Sequence, residues 1–149
     1  MNNDIFKLKE LESLVGHRFN DPNVLKQALT HASLERSSWN VYERLEFLGD
    51  RVLGLIISET LLKRFPNERE GQISRRYANL VKRDSLAIVA RKIKFGDYLL
   101  ISAGEEAAGA RESVTILSDA LEAVIGALYW DGGLEVARQF ILEHWEPLM

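Results

Sequence analysis

Glu43-Arg44-Leu45-Glu46-Phe47-Leu48-Gly49-Asp50 sets three carboxylates into an otherwise apolar, helically spaced stretch, where a soluble protein normally places core residues. A second apolar stretch, Asp119-Ala120-Leu121-Glu122-Ala123-Val124-Ile125-Gly126-Ala127-Leu128-Tyr129, carries two more carboxylates three residues apart. Two helices thus push acids toward something positively charged, and the expected partner is a metal ion. At 100° per residue, Glu43, Glu46 and Asp50 fall within an arc of roughly 60° and span about 10 Å of one helix face. Asp119 and Glu122 lie one turn apart on one face of the other helix. Gly49 and Gly126 each cost a helix interior about 1 kcal/mol relative to alanine. What offsets that cost is close helix-to-helix approach, which would bring four acids together.

Carboxylates sharing a small volume raise each other's pKa unless a cation neutralises them. Oxygen-only ligands, with no cysteine or nearby histidine, select hard ions, and Mg²⁺ favours a few carboxylates plus waters and a substrate phosphate. Such a site activates a water and stabilises charge during displacement at a phosphodiester, so a nuclease is expected. Any one of these acids alone would fit a solvated helix face supported by Arg44 or Arg51. The set fits that reading poorly, because Glu46 and Glu122 have apolar neighbours on both sides. A di-iron bundle needs Glu-x-x-His pairs, and His17, His31 and His144 are not so placed.

The 149 residues, 46% apolar and 28% charged, suit one globular domain with its own core. The absence of cysteine excludes disulfides, thiolate metal sites and thiol nucleophiles. No apolar run approaches the roughly 20 residues needed to span a bilayer, and Met1-Asn2-Asn3-Asp4 has neither a basic region nor an apolar signal core, so a cytoplasmic protein with no membrane partner is expected. The net charge of −3 hides an asymmetry: Lys63 to Lys94 holds ten basic residues against three acidic ones, about half of all the lysine and arginine. Charge is segregated as it would be if one face held a polyanion and an adjacent pocket held metal.

Apolar residues recur at three- and four-residue steps through most of the length, which predicts an all-α fold. Asp4 is expected to cap a helix bearing Ile5, Leu8, Leu11, Leu14 and Val15 that stops at Gly16. Asp21-Pro22 starts a second helix, with Asp as N-cap and Pro at the first position. A polar break at Ser37-Ser38-Trp39-Asn40 leads into the longest helix, Val41 to Arg64, with Leu45, Leu48, Val52, Leu53, Leu55, Ile56 and Leu61 as its apolar positions and Phe65-Pro66 as its end. Further helices are predicted over Glu70 to Val81, Ser85 to Ile93 with Asp84 as cap, Thr115 to Trp130, and from Leu134 to near Pro147. The stretch Ser102 to Arg111 reads as a loop and Asp131-Gly132-Gly133 as a turn.

The Glu43–Asp50 block resembles the signature of the ribonuclease III endonuclease domain, without a gap. Asp119-x-x-Glu122-Ala123, followed by Gly126-Ala127-x-Tyr129-x-Asp131-Gly132-Gly133, is similar to that family's second acidic motif. Gln27-Ala28-Leu29-Thr30-His31-x-Ser33, Arg64-Phe65-Pro66 and Glu70-Gly71 add to the resemblance, which covers essentially all of residues 1–149. It implies an all-α, homodimeric domain whose two active sites lie along a valley that receives double-stranded RNA. Carried over by motif position, Glu46, Asp50, Asp119 and Glu122 would bind Mg²⁺, with Mn²⁺ as a substitute, and Asp50 and Glu122 would be catalytic. Glu43 and Glu70 would be accessory acids at the edge of the site. The resemblance further implies water attack on the phosphodiester, leaving a 5′-phosphate, a 3′-hydroxyl and a two-nucleotide 3′ overhang, in processing of ribosomal, transfer and messenger RNA precursors.

From patterning alone Phe47 is either a core aromatic or a contact to another chain; the resemblance makes it a knob entering a socket on the partner subunit. Arg75, Arg76, Lys82 and Arg83 are candidates for phosphate contacts to A-form RNA, against the alternative of a solvated helix face. Thr30, His31 and Ser33 read as packing and capping, with His31 a structural hydrogen-bonder. Members of the family usually continue into a double-stranded-RNA-binding domain, which residues 1–149 do not contain. Short stand-alone relatives carry a different first signature, so a piece of a full-length bacterial enzyme is expected. The loop Gly104 to Ala110 is more acidic than the family pattern, and Ser118 stands where a small apolar residue is commoner. Two other classes remain open: a module of the same fold that binds double-stranded RNA without cutting, and a structural helical dimer whose acids bind only solvent cations.

Overall fold

The structure, a computed structural model, describes residues 2–34 and 41–149. The predicted polar break at Ser37–Asn40 lies outside the described residues. Eight α-helices are found among those described: α1 (Asn2–Val15), α2 (Pro22–Leu29), α3 (Val41–Arg64), α4 (Glu70–Val81), α5 (Arg83–Lys92), α6 (Ala103–Ala107), α7 (Val114–Gly132) and α8 (Leu134–Trp145). Among the described residues there is no β-strand, only an isolated bridge between Thr30 and Leu100. No helix among them is long and apolar enough to cross a membrane.

α7 is the axis of the fold. Leu117, Ala120, Leu121, Ala123, Val124, Ile125, Ala127 and Leu128 are all buried, so the helix is apolar nearly all round, the pattern of a helix enclosed by others. α3 packs along it most extensively, with α2, α5 and α8 covering its remaining sides. Trp145 at the end of α8 is fully buried and donates its indole N–H to the Leu80 carbonyl at 2.8 Å, tying the last helix to α4.

Several expected boundaries hold for the expected reasons. Asp21 caps α2, its carboxylate accepting from the Asn23 N–H at 3.0 Å with Pro22 in the first turn. α3 covers the predicted Val41–Arg64. Four expectations need correction. α1 begins at Asn2, so Asp4 lies within it instead of capping it. α5 starts at Arg83 behind Lys82, which places Asp84 in the first turn, where its charge suits the helix dipole. Ser102–Arg111 is not a loop: Ser102 accepts from the Glu105 N–H and starts α6, and a 3-10 turn follows over Ala110–Glu112. Finally, α7 runs through the expected Asp131-Gly132 turn and breaks only at Gly133, where φ is +90°.

Asp131 has a structural use of its own. Its carboxylate accepts from His17 Nε2 at 2.7 Å and from the backbone N–H groups of Asn20 and Asp21 at 2.8 and 3.0 Å, pinning the α1–α2 connection to the end of α7. Burial pushes the Asp131 carboxyl up, but these hydrogen bonds outweigh it and hold it below the usual range. A Cβ on Gly132 would stand 2.8 Å from the His17 ring, so the glycine makes room for that pair.

Leu55, one of the apolar positions of α3, is 57% exposed. It shares the outer face of the helix with Phe47, Arg51 and Leu62, at steps of four and seven residues.

Candidate metal centre

The α3–α7 crossing is as close as the two helix glycines predict. A Cβ on Gly49 would lie 1.7 Å from the Glu122 carbonyl oxygen, and one on Gly126 would lie 2.1 Å from the Leu45 carbonyl oxygen. Backbone therefore meets backbone. Glu46 and Asp50 flank Gly49 on one helix, while Asp119 and Glu122 precede Gly126 on the other, so the contact that needs the glycines also brings the acids face to face.

Carboxylate oxygens of Glu46, Asp119 and Glu122 lie within 4.8 Å of one another, all three partly buried. They line a cleft of about 450 Å³ together with Glu43, Phe47, Asp50 and Arg51. Asp50 sits at its rim: the side chain is 56% exposed and pairs with Arg51 at 3.3 Å, while also hydrogen-bonding to Glu122. Burial pushes the Glu122 carboxyl up to about 9, aided by the hydrogen bond to Asp50 and by the charges of Asp50, Glu46 and Asp119. Burial likewise pushes Glu46 up to about 7, with Asp119 and Glu43 raising it and Arg83 opposing. Without a cation the cluster holds protons that it would release to a divalent ion, and its all-oxygen donor set fits a hard ion.

These raised values fix the sign of a pH effect. An unfolded glutamate titrates near 4.3, so the native chain binds protons more tightly, and the stabilisation they give is present at low pH and lost as pH rises through about 7 and then about 9. In chelator the Tm is expected to fall between pH 7 and 9.5. Saturating Mg²⁺ should flatten that slope, because the ion replaces the protons. A thermal-melt series with and without Mg²⁺ checks this; identical slopes would count against a cation at the cluster.

The other expected residues divide. Glu43 lines the cleft, whereas Glu70 lies away from it in the first turn of α4, accepting from the Ser74 hydroxyl at 2.8 Å. Arg83 stands beside the cluster, 3.9 Å from Asp119 and donating to the Thr115 hydroxyl at 3.1 Å. Arg76 is engaged within the chain: it makes two 2.7 Å hydrogen bonds to Glu68 and lies 3.7 Å over the Phe65 ring. Arg75 and Lys82 are both exposed. Phe47 is 60% exposed with Arg51 stacked 3.6 Å over its ring. His31 Nδ1 accepts from the Ser33 backbone at 3.0 Å and contacts its hydroxyl at 2.9 Å, in keeping with a structural role.

Two neighbours of the cluster carry no functional expectation from the sequence. Arg51 bridges Phe47 and Asp50, and its spacing of four from Phe47 is the available signal. Tyr42 is buried against the acids, and its only sequence signal is its place one turn before Glu46.

The Ribonuclease-III-like family model matches residues 21–147. The chain is 47% identical over 133 residues to Ribonuclease 3 of Anaplasma phagocytophilum (strain HZ), an alignment covering 89% of this chain and 56% of that protein. It is 45% identical over 147 residues to Ribonuclease 3 of Caulobacter vibrioides (strain NA1000 / CB15N), covering 97% and 64%. The chain thus spans between 56% and 64% of the length of these curated relatives. Among solved structures, the nuclease domain of Ribonuclease III from Campylobacter jejuni superposes with a TM-score of 0.86 at 43% identity, covering 95% of each chain.

Proposed function

This chain belongs to the ribonuclease III family, and on that premise we propose that it is the nuclease module of a divalent-metal-dependent endoribonuclease that hydrolyses double-stranded RNA. The observation that carries the reading is the convergence of the Glu46, Asp119 and Glu122 carboxylates within 4.8 Å across a backbone-to-backbone helix crossing. Glu46, Asp50, Asp119 and Glu122 would hold Mg²⁺, or Mn²⁺ in its place. A bound ion would supply positive charge to the scissile phosphate and lower the pKa of a water. The chain itself contributes the rest. Asp50 and Glu122, which are hydrogen-bonded to each other, are the catalytic pair in this reading. Glu43 at the cleft and Glu70 beyond it are the accessory acids. Arg83 beside the cluster, with exposed Arg75 and Lys82, offers positive charge to the phosphate backbone, and Arg76 would join them on leaving Glu68. The products would carry a 5′-phosphate, a 3′-hydroxyl and a two-nucleotide 3′ overhang. Cytoplasmic RNA-precursor processing, with a double-stranded-RNA-binding domain outside residues 1–149, completes the proposal.

The test is incubation of the chain with long double-stranded RNA and Mg²⁺ at low salt, where phosphate contacts are strongest. Short duplex products that disappear with chelator are expected. Intact RNA with a folded, metal-binding chain would replace the nuclease with a module that binds RNA without cutting it.

A homodimer is part of the same proposal. The Campylobacter nuclease domain is described as having structural flexibility in a region involved in dimer formation. In this chain Phe47 projects beside a hollow of about 680 Å³ lined by Val24, Gln27, Val41, Leu48 and Trp130, the last 70% exposed. In a two-fold dimer each Phe47 would enter the other chain's hollow, so one substitution removes two contacts. Phe47→Ala is expected to weaken dimerisation about 10²-fold or more, read by sedimentation across a dilution series. An unchanged dimer would remove Phe47 from the interface.

A further inference from the structure

Tyr42 is 5% exposed, and its hydroxyl is buried without a hydrogen-bond partner among the described residues. Buried tyrosines ordinarily find a partner for that group, and leaving it unpaired is costly. Phenylalanine would fill the same space without that cost.

The hydroxyl lies among the acids of the cluster. Tyr42 precedes Glu46 by four residues on α3, so the two side chains lie on one face of the helix, one turn apart. Burial, then the charges of Asp119, Glu46 and Glu122, push the phenol above its ordinary value, so it stays a neutral donor beside three acceptors. A carboxylate that holds a divalent cation through one oxygen keeps lone pairs that do not face the ion, and a phenol hydroxyl is a donor for them.

We propose that Tyr42 is a positioning residue of the metal centre: its buried hydroxyl would donate to the Asp119 or Glu46 carboxylate when that carboxylate holds a divalent cation. The inference rests on the metal-centre reading above and adds to it the group that orients the ligands from behind, as donors outside a metal's own ligand set commonly do.

The experiment measures Mn²⁺ affinity of wild type and Tyr42→Phe by calorimetry, with the metal-free Tm of both. The dissociation constant is expected to rise roughly 10-fold in the variant, while the metal-free Tm stays level or rises because an unpaired hydroxyl is gone. A purely structural role would lower the Tm and leave affinity per folded molecule unchanged. A second measurement needs no variant: the Tyr42 ¹³Cζ resonance of wild type is followed through a Mg²⁺ titration and is expected to shift as the hydroxyl gains an acceptor. Equal affinities, or a resonance that stays put at Mg²⁺ saturation, overturn the role of Tyr42 alone. A folded wild type that binds no Mn²⁺ overturns the metal centre and the positioning role together.

Discussion

Gly49→Ala is expected to force α3 away from α7 and to lower stability by about 3–5 kcal/mol, as overpacking against immovable atoms does at the severe end of its range. The new methyl would sit 1.7 Å from the Glu122 carbonyl oxygen and 2.6 Å from the carbon behind it. Both are backbone atoms inside a helix, so no side-chain rotation relieves the clash. The gain of about 1 kcal/mol in helix propensity on replacing glycine offsets only a fraction. Because the atom struck belongs to Glu122, the displacement also opens the carboxylate cluster, and cation-induced stabilisation should fall with the Tm. Gly71→Ala is the control: its Cβ would meet nothing within 4 Å in α4, so a neutral or slightly stabilising effect is expected. Thermal and denaturant melts of both variants decide the matter. A Gly49→Ala chain melting within a degree or two of wild type would show that the crossing is looser than described.

Glu122→Gln is expected to reduce Mg²⁺-dependent cleavage of double-stranded RNA on the order of 10³-fold or more, equivalent to a loss of about 4 kcal/mol of transition-state stabilisation. Stability should move differently. At pH 7 the Glu122 carboxyl of the metal-free chain is already protonated, held up to about 9, and the glutamine amide resembles that neutral form. The variant should therefore melt above wild type in chelator already at pH 7, because folding there makes the wild-type carboxyl take up a proton that the unfolded glutamate, titrating at about 4.3, has lost. The gap should widen toward pH 9.5, where the native carboxylate is forced to ionise beside Asp50, Glu46 and Asp119. Added Mg²⁺ should raise the Tm of wild type and leave the variant nearly unchanged. Retained cleavage would sink the assignment of Glu122; lost cleavage with an equally lost Tm would point to misfolding instead.

The acids legible in the sequence and the acids assembled in space overlap closely, because helix periodicity alone fixes which residues share a face. Glu46 with Asp50, and Asp119 with Glu122, are one turn apart on their helices. Gly49 and Gly126 then announce where those helices touch, since glycine is otherwise a poor choice in a helix interior. The short α6 is hidden by the glycines around it and its five-residue length, although its Ser102 cap is readable. That Leu55 faces outward is not legible in the sequence, because an apolar residue on a long helix carries no label saying whether it faces its own core or the outside.

From its sequence alone, this protein's helical class, the bounds of its longest helix and the pairing of the two acidic motifs follow, all consequences of periodicity, capping and glycine placement along one dimension. Tertiary structure alone decides how the acids differ. Three carboxylates converge within 4.8 Å while Asp50, at the rim, reaches both Arg51 and Glu122, and Glu122 is held further above the usual carboxylate range than Glu46. It also decides that Arg76 is held by Glu68 and Phe65, and that the Tyr42 hydroxyl is buried with no partner among the described residues. Burial, charge proximity and hydrogen-bond satisfaction depend on residues distant in the chain, and no local pattern encodes which of those will arrive.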